Sequence, residues 1–453
     1  MTSLTYMQLL RRNRSFRRLW AGQVVSELGN WFNLIAVLGL VRKVTLGAPE
    51  ATALVLVLRL IPFALFAPVA GAFADRWSRR TVMIMSDCAR GLVALGFLLV
   101  RGPEDLWIGY LCTIMLALLT AFFEAAKNGA LANVTGDEGL LAGNTLMFSS
   151  RFLLMAVGAA LGGAASARFG YAFSFIVNAV SFIISAYSIW LIPGGEMVQV
   201  ESEAKRAVGP GMVEKKEAQR RPRLWTDLRE GWSYIVEHGL VAALLGMNIL
   251  WAVGGGAILL LYDRLGSVVF AGSGTWQGDK GVAAIYTVSG AGLFLGMMMA
   301  RRVGSRVELQ GRTAGFMGWT LFAHGVLFAL AGLMPTLWLA CLLIFVSRVV
   351  IAAEFGVQDT LLMRLLPDNL RGRVVTTDRA AEILVTSLTT VIAGWSLHLI
   401  SPRTLMVISG LLSASPGIMW LLLFVSGRLH LPASQGSARA AEEKDQALLA
   451  SVG

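Results

Sequence analysis

The sequence predicts an all-α protein that crosses a lipid bilayer twelve times. Three observations carry that expectation. The chain is 56% hydrophobic and 15% charged, with a mean hydropathy of +0.65, whereas soluble domains carry about 25% charged residues. Apolar runs of about 20 residues, the length that crosses hydrocarbon as a helix, recur from end to end. They are continuous rather than alternating, which excludes a transmembrane β-barrel. Lys and Arg, finally, gather in every second loop.

The runs fall at 19–42, 51–74, 81–101, 106–127, 143–167, 171–193, 239–262, 280–301, 313–334, 337–362, 376–400 and 404–427. Connections are short except for residues 194–223, a polar segment that separates six spans from six. After it, "LWTDLREGWSYIVEHG" (224–239) is amphipathic and suits the membrane surface. The chain thus divides into an N-terminal six-helix bundle (1–193), a cytoplasmic linker with an interfacial helix (194–238), a C-terminal six-helix bundle (239–427) and a polar cytoplasmic tail (428–453). The segments on one side hold Arg11, Arg12, Arg14, Arg17 and Arg18, then Arg76, Arg79 and Arg80, then the cations of 194–223, Arg301, Arg302, Arg306 and Arg312, and finally Arg364, Arg371 and Arg373. The other side holds few. The positive-inside rule places both termini in the cytoplasm. The basic N-terminal stretch carries no cleavage pattern and reads as a cytoplasmic lead-in.

This arrangement accounts for the net charge of +11 without a nucleic-acid partner. Cys88, Cys112 and Cys341 all lie within apolar spans, so no disulfide framework is expected. The four histidines are scattered, and no metal site is expected. The chain lacks the phosphate-binding loop of an ATP-driven pump and the H-E-x-x-H and G-x-S-x-G patterns of enzymes. Neither an enzyme nor a cofactor is expected.

"GAFADRWSRR" (71–80) sets four charges between two apolar spans. "GMMMARRVGSR" (296–306) repeats that arrangement after span 8, and "FFEAAKNGALANVTGDEGLLAGNTL" (122–146) is echoed by "EFGVQDTLLMRLLPDNLRGRVVTTD" (354–378). Matching halves of six spans point to a duplicated transporter with its substrate site between them near mid-membrane. The 71–80 loop resembles the signature of the major facilitator superfamily, G-x-x-x-D-R-x-G-R-R, with Gly71, Asp75, Arg76, Arg79 and Arg80 matching and Ser78 in place of a preferred glycine. Physically, Gly71 would let two helices approach. Asp75 would accept hydrogen bonds from the start of a neighbouring helix, and the arginines would pair with acids. The resemblance implies a latch for the outward-facing state; Glu124 and Glu354, shallow and near the basic loops, are expected to join it, with Arg371 and Arg373.

"NRSFRRLWAGQVVSELGNWFNLIA" (13–36), "AGNTL" (142–146), "GAALGG" (158–163) and "PDNLRGRV" (367–374) resemble the drug:proton antiporter branch that includes macrolide-efflux and enterobactin-exporter proteins. That resemblance implies a monomer in the bacterial plasma membrane, with the bilayer, protons and an amphipathic or lipophilic small molecule as partners. It implies efflux by alternating access. Asn30 stands where the branch often has Asp, and no proline follows the glycines of "GAALGGAA". The same branch contains lysophospholipid and siderophore movers. A non-transporting receptor or scaffold on this fold is a further alternative.

An ionisable side chain at the bilayer centre costs about 2.5–3.5 kcal/mol on insertion scales, so each is expected to be paired or to face a wet cavity. Glu27 lies roughly 12 Å into span 1 at the helical rise of about 1.5 Å per residue. Arg59 is at similar depth in span 2. Asp87 and Arg90 share a face of span 3 at i,i+3, and Arg151 and Arg348 lie inside spans 5 and 10. Asp87–Arg90 is expected to be a structural pair. Glu27, desolvated in the helix that lines the cavity by the family resemblance, is expected to carry a proton, with Arg59 or Arg151 as counter-charge or anion anchor. Spans 1, 4, 7 and 10 would line the cavity by the family resemblance, offering Gln23, Trp31, Phe123, Asn248 and Trp251 among others.

Overall fold

The computed structural model describes residues 6–197, 224–271 and 278–428. Most of the expected linker and nearly all of the tail fall outside the described residues, as do the side chains of Asp75, Asp137, Asp368, Asn369 and 224–228. Among the described residues the elements are helices and turns, with no strand. In chain order the helices are α1 Tyr6–Arg12, α2 Arg14–Val44, α3 Pro49–Arg76, α4 Arg79–Gly96, α5 Leu106–Phe169, α6 Tyr171–Trp190, α7 Leu224–Glu237, α8 Gly239–Gly255, α9 Ile258–Arg264, α10 Gly278–Leu309, α11 Thr313–Leu333, α12 Leu337–Leu365, α13 Asp368–Ser396 and α14 Pro402–Val425.

Local chemistry sets the helix starts. Asn13 caps α2, its Oδ1 accepting from the Phe16 amide at 2.8 Å while its Nδ2 donates to the Val134 carbonyl at 2.6 Å. Pro49 opens α3, where its fixed φ and missing N–H cost nothing. Eleven helical spans among the described residues are long and apolar enough to cross a membrane. The twelfth expected span, 376–400, falls mostly in α13, which ends at Ser396 and where Asp378, Arg379 and Glu382 reduce the apolar character. Spans 4 and 5 were expected as separate helices around a polar turn. They are two spans, Pro103–Gly136 and Glu138–Phe169, and the turn between them within α5 is confined to Gly136 at φ 63°, ψ 176°, a region essentially reserved for glycine.

Packing divides the chain into two compact units that differ from the expected halves. Within the described residues, the first joins 6–197 with 224–227, 259–271, 278–290 and 390–401, and the second holds 228–258, 291–389 and 402–428. Residues 259–290 lie beyond the expected N-terminal bundle in sequence, yet side-chain bonds tie them to it, as described below. In the first unit Phe16, Leu19, Phe123 and Ile189 form a buried cluster where α2 meets α5 and α6. In lipid there is little hydrophobic drive between helices, so close contact at small residues matters more. "GAALGG" supplies it. A Cβ on Gly158 would stand 2.6 Å from the Trp31 side chain, and one on Gly162 would stand 2.9 Å from the Phe32 backbone. In the second unit α11 packs against α14 and α12 around Met317, Leu321, Ile351 and Trp420. The Trp420 indole donates to the Ala314 carbonyl at 2.9 Å.

Candidate functional site

Inside the first unit, α2 and the two arms of α5 enclose a cleft of about 140 Å³. Gln23 and Glu27 reach it from one face of α2, spaced i,i+4. The first arm of α5 adds Glu124 and Lys127, and the second adds Ser150 and Arg151. Lys127 donates to Glu124 at 2.6 Å, a charge-assisted bond. Arg151 stands 3.8 Å from Glu27, beyond hydrogen-bond range, so that pair is held by charge alone. The field of Arg151 reaches Glu124 as well. Asn30 donates to the other Glu27 oxygen at 3.3 Å, and the Trp20 indole donates to Ser150 at 3.1 Å. The Gln23 amide nitrogen is buried with no hydrogen-bond partner among the described residues. Val24, Met147 and Phe148 supply apolar wall. Two acids and two bases thus share one half-apolar cleft, and the Glu27–Arg151 pair is the looser of its two ion pairs.

The structure brings some expected residues into this cleft and places others elsewhere. Glu27, Asn30, Glu124 and Arg151 meet there. Arg59, half-buried on α3, has Glu27 among its electrostatic neighbours. Asp87 and Arg90 form a closed pair within the bundle, with the guanidinium 4.1 Å over the Phe123 ring and 4.5 Å over Phe182. Phe123 was expected to line the cavity. It is instead 1% exposed beneath that guanidinium. Arg348 is buried in the second unit, 5.9 Å from the Phe328 ring. Glu354 is fully buried, and neither of its carboxyl oxygens has a hydrogen-bond partner among the described residues.

The signature-loop cations bind backbone carbonyls. Arg79 donates to the Gly129 carbonyl at 2.9 Å. Arg80 donates to the Trp190 carbonyl and Arg18 to the Leu191 carbonyl, so both cap the C-terminus of α6, where positive charge is favoured. Arg371 caps α12 in the same way through the carbonyls of Met363 and Leu366, and Arg373 pairs with Glu230 of α7. Arg76 is exposed, and the Asp75 side chain lies outside the described residues. The close approach expected at Gly71 is not present in its own unit, where a Cβ would meet nothing within 4 Å.

One cluster was not anticipated. Arg42, at the end of α2, pairs with Asp263 of α9 and Asp279 of α10, and the Tyr171 hydroxyl donates to Asp279 at 2.6 Å. Arg264 donates to the carbonyls of Gly47 at 2.7 Å and Ala48 at 3.1 Å and to the Thr52 hydroxyl at 2.8 Å. The signal in the sequence was the adjacent Asp263-Arg264 inside the apolar run "ILLLYDRLG", since charge at that depth demands partners.

The profile described as Major Facilitator Superfamily matches residues 19–374. The chain belongs to the major facilitator superfamily. Three relatives with reviewed descriptions resemble this superfamily member. An uncharacterized MFS-type transporter, YfiS of Bacillus subtilis (strain 168), is 28% identical over 42% of this chain and 45% of its own length. The putative bacilysin exporter BacE of the same organism is 29% identical over 44% of this chain and 48% of its own. The lysophospholipid transporter LplT of Klebsiella pneumoniae is 32% identical over 31% of this chain and 34% of its own. The chain spans about half the length of the first two of these relatives and a third of the last. Among solved structures, the nucleoside transporter NupG (D323A mutant) superposes with a TM-score of 0.68 at 12% identity, covering 91% of this chain and 99% of that one. At that identity the likeness speaks for the fold alone. The superfamily chain is a multi-pass membrane protein by the length and apolar character of its helices.

Proposed function

We propose that this transporter exports amphipathic or lipophilic small molecules in exchange for protons, by alternating access of its two halves, from the cytoplasm of a bacterium with both termini inside. The observation that carries the reading is the Glu27–Arg151 pair at 3.8 Å in a cleft walled by Val24, Met147 and Phe148. Protonation of Glu27 releases Arg151 toward Glu124 and changes the charge pattern that a bound molecule meets, so proton and substrate compete for one site. Apolar walls with a few polar anchors suit an amphipathic guest better than a sugar, which demands many hydroxyl partners. The naming of one relative as a putative exporter supports the direction.

A second reading, movement of a lysophospholipid, is favoured by one feature. The Arg151 side chain is 61% exposed beside Phe148 and Met147, an arrangement that fits an anionic head and an acyl chain, and one relative is named a lysophospholipid transporter. Proteoliposomes with an acidic lumen separate the two. Drug-dependent proton release supports the first reading. Lysophospholipid movement without drug response supports the second. Silence toward both, with a siderophore panel also inert, would leave a receptor or scaffold role.

A further inference from the structure

A second cavity in the first unit takes no part in the Glu27 cleft. It measures about 470 Å³ and lies where α1 gives way to α2. Arg12, Asn13, Arg14 and Ser15 line it from that junction, with Thr135 from α5 and Glu196 from the turn at 194–197. Hydrogen bonds fix its frame. Asn13 caps α2 through the Phe16 amide and donates to the Val134 carbonyl at 2.6 Å. Asn133 donates to the Met197 carbonyl at 3.1 Å and so ties the 194–197 turn to α5.

The start of α2 offers this cavity donors without acceptors. The amides of Arg14 and Ser15 belong to the first turn, whose N–H groups have no acceptor within the helix, and the Asn13 cap satisfies only the next one, that of Phe16. The guanidinium groups of Arg12 and Arg14 are exposed and bond to no described residue. Arg17 and Arg18 differ, since they donate to the carbonyls of Leu10 and Leu191. Ser15 is only 4% exposed, yet its hydroxyl has no hydrogen-bond partner among the described residues. A buried hydroxyl left without a partner is costly, and this one borders the cavity. Two guanidinium groups stand there against the one carboxylate of Glu196, and the positive end of the α2 dipole adds to them. Fork-shaped cations beside open helix amides and a hydroxyl are the donor set that suits a phosphate, whose oxygens accept from several directions.

The place fits as well. Helix α2 has 31 residues, about 46 Å at a rise of about 1.5 Å each, against a hydrocarbon core of about 30 Å. With Arg14, Arg17 and Arg18 in its first two turns, this end stands in the headgroup layer. We propose that the start of α2 binds a phosphate group, carried either by an anionic phospholipid of the surrounding leaflet or by a soluble phosphorylated compound. Arg12 and Arg14 balance its charge, Ser15 and the first-turn amides hold its oxygens, and Glu196 limits the affinity by repulsion. The site is distinct from the Glu27 cleft and stands whether or not that cleft couples export to protons.

The test follows the melting temperature of the purified full-length chain in a neutral, phosphate-free detergent, since a ligand of the folded form raises it by mass action. One arm titrates dioleoyl phosphatidylglycerol against dioleoyl phosphatidylcholine. The other titrates inorganic phosphate against chloride at matched ionic strength. A rise with phosphatidylglycerol alone supports a lipid phosphate, and a rise with inorganic phosphate supports a soluble one. In either arm the rise is expected to be lost when Arg12→Gln and Arg14→Gln are combined. It is expected to persist when Arg301→Gln and Arg302→Gln are combined, which removes the same charge from exposed positions of the second unit. Ser15→Ala is expected to raise the half-saturating concentration about tenfold, and Glu196→Gln to lower it. A parent that responds to neither probe overturns the proposal, and so does a rise that survives the loss of Arg12 and Arg14. Equal losses in the two double variants would show a diffuse basic surface and overturn it too, as would a Ser15→Ala protein that binds as tightly as the parent.

Discussion

Asp87 and Arg90 show how a pair of charges becomes structural in this chain. Both are buried and bound to each other, and two aromatic rings cover the guanidinium. Removing one partner strands the other. Asp87→Leu is therefore expected to cost about 3–5 kcal/mol, read as a lowered unfolding midpoint in detergent. The double replacement Asp87→Leu with Arg90→Leu is expected to recover part of that loss. A single Asp87→Leu variant as stable as the parent would contradict this reading. The i,i+3 spacing made this pair legible in the sequence, because helix periodicity fixes neighbours on one helix. The Glu27–Arg151 pair was less so. Both residues stood out as charges in apolar spans, but which cation faced which acid depends on how α2 turns against α5. Lys127 was missed for the same reason, its partner Glu124 notwithstanding.

At the scale of elements, Gly136 is the point where α5 turns from one span into the next. Its φ of 63° and ψ of 176° cost a residue with a side chain of order 1–3 kcal/mol. Gly136→Ala is expected to destabilise by that amount in the same unfolding measurement, whereas an unchanged midpoint would show that the turn adapts. Apolar length was enough to place eleven spans, because a bilayer accepts little else. It could not show that two spans join with a single-residue break. The 71–80 loop was legible as a motif, yet the partners of its arginines were not. Arg79 and Arg80 bind backbone carbonyls, and backbone carbonyls leave no mark in a sequence.

The whole molecule was read as two halves split at 194–223, and the six-plus-six pattern of spans follows from hydropathy. The compact units follow contact instead, and Arg42 with Asp263 and Asp279 binds 259–290 to the N-terminal bundle. Those bonds join residues more than two hundred positions apart, beyond the reach of periodicity. Both termini are proposed to be cytoplasmic, from the distribution of arginine. A green fluorescent protein fused to either end is expected to fluoresce, and an alkaline phosphatase at either end is expected to stay inactive. Active phosphatase at one terminus would demand an odd number of crossings. The central claim, proton-coupled export through the Glu27 cleft, is tested most directly by drug-dependent proton movement in proteoliposomes of the parent and of Glu27→Gln. The account predicts that an amphipathic drug releases protons through the parent, and that the Gln variant still binds the drug but releases none. Equal proton release by both proteins, or drug movement without protons in the parent, would contradict it.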